Sequence, residues 1–163
     1  AVPAIVTGVS LIFFYNTPSL SFIYSSILII LIAFSTRFLF IAVKIISDNL
    51  RQIPVSYTEA AKMMGARSFY IFRKISLPLL GEALFTSFFI ILIFCLNELS
   101  TVIMVYPPGT SLLPVTIFTR TANAPQHIVS GMSLVALMFT LVILLCMLFG
   151  KKVLFNQQWR ESR

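Results

Sequence analysis

The sequence predicts an all-α, polytopic helical membrane protein, and three observations carry that expectation. Of the 163 residues, 58% are hydrophobic and only 10% are charged, whereas about a quarter of a water-facing domain is normally charged. The apolar residues fall into long unbroken runs without the alternation of strands. Lys and Arg gather in the polar segments between and after those runs, as they do in the cytoplasmic loops of membrane proteins. In lipid the backbone must satisfy its own hydrogen bonds, as helices or as a closed barrel, and unbroken runs select helices.

About four membrane-spanning helices are expected. Residues 1–15 are apolar but short for a bilayer, which takes about 20 residues of helix. They read as the end of a helix that starts upstream, or as one shortened by Pro3. Asn16, Thr17, Pro18 and Ser19 form a turn. A second run goes from Phe22 to about Val43 and holds Arg37, expected near the cytoplasmic end with its guanidinium reaching toward headgroups. A polar stretch, about residues 44–78, is too charged to lie in hydrocarbon.

The third run covers roughly residues 79–105. It carries Glu82 near its start, read as interfacial, and Asn97 and Glu98 late in it, and it is ended by Pro107-Pro108-Gly109. Residues 112–121 suit a short interfacial or re-entrant segment, and the sequence does not choose between them. The fourth run, Ile128 to Phe149, holds no charge and is closed by Gly150-Lys151-Lys152, with Trp159 as an interfacial anchor in the tail. With the polar stretch and the tail inside the cell, runs two to four alternate direction and place the Pro-Pro-Gly loop outside.

The net charge of +7 does not point to nucleic acid. Arg37, Lys44, Arg51, Lys62, Arg67, Arg73 and Lys74 surround one polar stretch, Lys151, Lys152, Arg160 and Arg163 lie in the tail, and Arg120 stands alone between the last two apolar runs. That distribution is a topology signal. Cys95 and Cys146 sit within apolar runs, where thiols act as small hydrophobes, and His127 has no partner motif. No metal site, cofactor or catalytic set is expected, and the chain is read as not an enzyme.

The polar stretch holds the informative segment, Ile53 to Pro78, which reads as two short helices joined by a turn. Ser56 and Glu59 have capping-box spacing, so a helix is expected after Ser56. Ala60, Ala61, Met63 and Met64 are helix formers with a smooth apolar surface. Gly65 supplies the permissive backbone of the turn. Ser68 is placed to cap a second helix that runs through Phe69, Phe72 and Ile75 until Pro78.

Glu59-Ala60-Ala61, three residues, Gly65, nine residues and Ile75-Ser76-Leu77-Pro78 resemble the EAA loop of the permease subunits of binding-protein-dependent ATP-binding-cassette (ABC) importers. The resemblance implies a coupling helix seated in a groove of a separate cytoplasmic ATPase, with Glu59, Ala60, Ala61, Met64 and Gly65 at the contact. It further implies a second permease half or subunit, a periplasmic or lipid-anchored solute-binding protein, and a multi-pass place in the bacterial inner membrane. The 163 residues contain no Gly-x-x-x-x-Gly-Lys-[Ser/Thr] phosphate cradle, so ATP hydrolysis is expected in a partner. The Arg37-Phe38-Leu39 segment, Asn97-Glu98-Leu99-Ser100 and Pro107-Pro108-Gly109 are similar to ferric-iron permeases, and thiamine, polyamine and phosphonate permeases share the layout. The chain thus resembles the C-terminal part of one such transmembrane domain.

Asn97 and Glu98 are candidates for the translocation path, because an ionisable group in a membrane helix usually faces an interior or an aqueous path. The competing role, helix packing or loop anchoring near the outer interface, is favoured for Glu98. A partner-independent channel or secondary transporter is the other function class that the composition admits.

Overall fold

In the computed structural model residues 3–161 are described, with side chains described through Lys152. The helices are α1 (Ala4–Tyr15), α2 (Ser21–Tyr24), α3 (Leu28–Gln52), α4 (Val55–Met63), α5 (Ser68–Ile71), a π-helical turn (Phe72–Ser76), α6 (Leu77–Leu79), α7 (Gly81–Asn97), α8 (Val102–Val105), α9 (Leu113–Thr121) and α10 (Gln126–Glu161). No strand occurs among the described residues. Two helices, Leu28–Gln52 and the stretch Gln126–Lys152 of α10, are long and apolar enough to cross a membrane. Ser68–Leu79 with Gly81–Asn97, bent by 60°, makes a third if it counts as one span. Four spans are therefore not reached among the described residues, and α1, with 12 residues, is too short.

Several boundaries differ from those expected. The second apolar run is broken at residues 25–27, because serines there compete for the backbone. Ser26 Oγ donates to the Ile23 carbonyl at 3.0 Å and accepts the Leu28 N–H at 3.3 Å. α3 then runs nine residues past Val43, and its 25 residues span about 38 Å at 1.5 Å each. Its polar end is held by the exposed pair Lys44–Asp48 at 3.1 Å.

The third run ends at Asn97, well before the prolines. Asn97 Nδ2 donates to the Ile93 carbonyl at 2.8 Å, and the chain leaves the helix at Glu98. Pro107-Pro108-Gly109 instead forms a turn closed by Thr110 N–H to the Pro107 carbonyl, with Gly109 at φ 81°. Residues 113–121 are helical but far too short to span. His127, expected in a loop, is the second residue of α10.

α10 passes straight through Gly150, since one glycine costs a helix only about 1 kcal/mol. The glycine has a packing reason, because a Cβ there would run into the Phe85 ring. Trp159 lies outside the residues whose side chains are described.

The chain divides into two compact units, Ala1–Phe40 with Leu92–Ile143, and Ile41–Ile91 with Leu144–Arg163. The core of the first is Leu11, Ile29, Ile30, Ala33 and Val105, with Tyr15, Tyr24 and Phe34 packed against it. α1 approaches α8 closely at Gly8, where an added Cβ would lie 3.0 Å from Met104 Cβ. In the second unit Ile71, Leu80 and Ala83 are buried, and Glu82 pairs with Lys151 at 2.9 Å.

Gly8→Leu should therefore push α1 off α8 and cost about 1–3 kcal/mol. Gly131→Leu, which meets open space, should be neutral or mildly stabilising because a poor helix former is removed. Thermal unfolding of the detergent-solubilised protein distinguishes the two. Equal melting temperatures for both variants would contradict this packing.

Candidate functional site

The 55–79 segment folds as a helix-turn-helix, but not through the expected caps. Pro54 sets the entry with φ −59° and ψ 130°, so α4 begins at Val55 and no side chain caps it. Ser56 thus lies inside the first turn. The Ser56–Glu59 capping box does not form, because a box needs its Ser outside the helix. Ser68 likewise is the first helical residue, with extended Arg67 (ψ 150°) in the cap position.

The turn between the helices closes on Gly65. Ala66 N–H donates to the Ala61 carbonyl at 3.0 Å and Gly65 N–H to the Lys62 carbonyl at 2.9 Å. That pair of bonds is the Schellman motif, which needs a left-handed residue at its C′ position. Gly65 sits there with φ 79° and open space around it.

The second helix runs one residue past Pro78. The turn before it widens to π geometry, with Leu77 N–H donating to the Phe72 carbonyl. This relieves the conflict between a proline ring and the carbonyl four residues back. The helix stops at Leu79, and the chain bends into α7.

Closing on Gly65 puts the tip of the hairpin in the open. Met63 and Met64 are 90% and 89% exposed, the highest values among the exposed large apolar residues described. Glu59 and Ala60 are exposed and Ala61 is half-buried. Beside the turn lies a notch of about 770 Å³ lined by Ala61, Met64, Gly65, Ala66, Arg67, Tyr70, Lys74 and Ile75. Of the five residues expected at a partner contact, Ala61, Met64 and Gly65 line this notch, and Glu59 and Ala60 lie exposed on α4 ahead of it.

Asn97 and Glu98, adjacent in sequence, are not brought together. Asn97 is exposed; its amide donates weakly to Thr140 Oγ1 at 3.4 Å and lines a groove of about 400 Å³ with Ile117, Ser133, Ala136, Leu137 and Thr140. Glu98 turns away into a closed triangle. Its Oε2 pairs with Arg37 Nη2 at 3.5 Å and its Oε1 accepts the Thr101 N–H at 2.9 Å. Arg37 Nη1 in turn donates to Thr101 Oγ1 at 3.1 Å.

Thr101 is fully buried, and the Glu98 and Arg37 side chains are only 10% and 23% exposed. Arg37 therefore does not reach toward headgroups. A lone carboxylate would be costly in apolar surroundings, and the guanidinium satisfies it instead. The sequence carried a signal for this pairing: two isolated opposite charges within apolar runs are expected to find each other. Thr101 could not be singled out, since hydroxyls in such runs usually bond their own helix.

Removing one partner of this triangle should cost about 3–5 kcal/mol, because the other charge is left buried and unpaired. Arg37→Ala or Glu98→Ala should thus lower the melting temperature sharply, and Arg37→Met with Glu98→Leu should recover much of the loss. If the double variant melts no higher than the singles, the pair is not the source of the stability.

Residues 1–157 match the family described as binding-protein-dependent transport system inner membrane component. Among relatives, a protein of Salmonella paratyphi A named as a 2-aminoethylphosphonate transport system permease, PhnV, is 31% identical over 63% of this chain and 38% of its own length. The Fe(3+)-transport system permease protein FbpB 2 of Haemophilus influenzae is 22% identical over 86% of this chain and 28% of its own length. The chain spans less than two fifths of the length of these relatives. No solved structure matches it significantly.

Proposed function

The chain belongs to the family of binding-protein-dependent transport system inner membrane components, and we propose that it forms part of the permease of an ATP-driven importer, coupled to a separate ATPase through the 55–79 hairpin. The observation that carries this reading is the open tip of that hairpin. Exposed methionines and small alanines, held on a glycine-closed turn, are suited to a partner's cleft and poorly suited to water. Glu59, Ala60, Ala61, Met64 and Gly65 form the contact, and Gly65 gives the hairpin its shape.

In this reading the hairpin and the C-terminal end of α10 face the cytoplasm, and the Pro107-Pro108-Gly109 turn faces outward. A second permease half completes the pathway, and a solute-binding protein delivers cargo from outside. ATP is hydrolysed in the partner, whose closure moves the helices. A partner-independent carrier is less well supported, because such proteins use ionisable groups within the membrane as ion sites. Here Arg37 and Glu98 are committed to each other, as are Glu82 and Lys151.

The cargo is a small charged solute. Ferric iron is carried forward on the resemblance of the segments around Arg37 and Asn97, with support from a relative aligned over 86% of the chain. The higher identity to a relative named for 2-aminoethylphosphonate makes that compound the competitor. Uptake of the two labelled solutes by cells carrying the intact transporter decides between them.

Gly65→Glu should uncouple ATP hydrolysis from uptake while leaving the protein in the membrane, because a side chain at φ 79° strains the turn. Glu59→Lys should do so by reversing the contact charge. Wild-type transport in both variants would refute the coupling role. A cysteine placed at Lys62 should resist an impermeant reagent added to intact cells and react once the inner face is opened; labelling from outside would reverse the topology.

A further inference from the structure

The notch beside the Gly65 turn has a composition that the apolar tip does not explain. Ala61, Ala66, Tyr70 and Ile75 give it apolar surface, and Arg67 and Lys74 stand among its lining. Both cations are exposed and neither forms an ion pair among the described residues. From Val55 to Leu79 there are four cations, Lys62, Arg67, Arg73 and Lys74, against the single carboxylate of Glu59. The excess itself follows the topology signal, and the observation particular to the notch is that Arg67 and Lys74 stand within its apolar lining.

We propose that this notch receives a protruding apolar side chain of the ATPase subunit whose neighbouring residues are acidic, with Arg67 and Lys74 pairing to those carboxylates. The inference rests on the coupling role proposed above and names the chemistry of the partner surface. The apolar lining favours a protein knob over a lipid headgroup, since a headgroup needs charge but no concave hydrophobic seat.

Charges at the rim of an interface act mainly on encounter, and their effect is screened by salt. Arg67 and Lys74 beside the apolar seat therefore steer and register the knob, and burial of the knob holds it. Arg67 presents a planar fork suited to two carboxylate oxygens, and Lys74 a point charge.

The test uses the complete permease, free of its ATPase, reconstituted in nanodiscs, and the purified ATPase subunit, with the association rate measured at low and high salt. The wild type should associate faster at low salt. Arg67→Glu with Lys74→Glu should slow association about tenfold at low salt and flatten the salt dependence. Arg73→Glu, outside the notch lining, makes the same change of charge per site and should leave most of the rate intact. Tyr70→Ala, which thins the apolar seat, should speed dissociation instead.

An unchanged rate and salt slope in the Arg67/Lys74 double variant would overturn the proposal while leaving the coupling role standing. Absence of any binding by the wild type would overturn both. Repeating the measurement in nanodiscs of phosphatidylcholine, with and without phosphatidylglycerol, separates the occupants. A defect seen only with phosphatidylglycerol would assign the cations to headgroups and end the proposal, whereas a defect independent of lipid charge supports it.

Discussion

The first unit depends on one arrangement, the triangle of Arg37, Glu98 and Thr101. It joins α3 to the break between α7 and α8, and Thr101 also reaches the Ala4 carbonyl at the start of α1 at 3.5 Å. Three chain segments far apart in sequence thereby share one polar knot in otherwise apolar packing. Apolar contacts alone would let helices slide against one another at little cost, whereas a buried charge tolerates only the geometry that pairs it. Phe38 stacks on Phe94, centroids 5.7 Å apart, and the Arg37 guanidinium lies 5.6 Å from the Phe38 ring centroid. The close approach of α1 to α8 at Gly8 lies on the segment that begins at Thr101.

The helical class was readable from composition and run length because the solvent is nearly uniform. Where lipid replaces water, every long apolar run has to become a helix. Boundaries were harder because they depend on hydrogen bonds a hydropathy pattern does not register. Ser26 breaks the second run by serving its own backbone, and Asn97 closes the third by bonding back to Ile93. Pro78 marks the end of its helix to within one residue: the π turn before it accommodates the ring, and the helix stops at Leu79. Gly150 with its two lysines was expected to end α10, but the helix runs on, and the glycine admits a phenyl ring.

At the candidate site the legible part was backbone and the illegible part was side chain. Gly65 could be placed in a turn because few other residues take φ near +80°, and the structure uses it in that way. The role of Ser56 could not be read from its spacing to Glu59. The same spacing occurs inside a helix, and only the extended backbone at Pro54 shows where the helix starts. Likewise, Asn97 and Glu98 are both candidates for the translocation path, with a packing or loop-anchoring role favoured for Glu98, and the sequence does not show that they part. At a helix end successive side chains diverge, and these two enter different surroundings.

The geometry of the hairpin explains why its proposed contact surface can remain exposed without collapsing. Its ends are set by Pro54 and by the wide turn before Pro78, and its middle by the two bonds around Gly65. Little conformational freedom remains for a partner to remove, so binding would cost less ordering entropy than it would for a loose loop. Methionines at the tip keep rotamer freedom even on a stiff backbone, which lets the contact adapt while the helices hold their direction. In the proposed coupling role, such an element has to be stiff where it carries the load and compliant only where it touches. In this segment the stiffness lies in the turn and the prolines, and the compliance lies in Met63 and Met64.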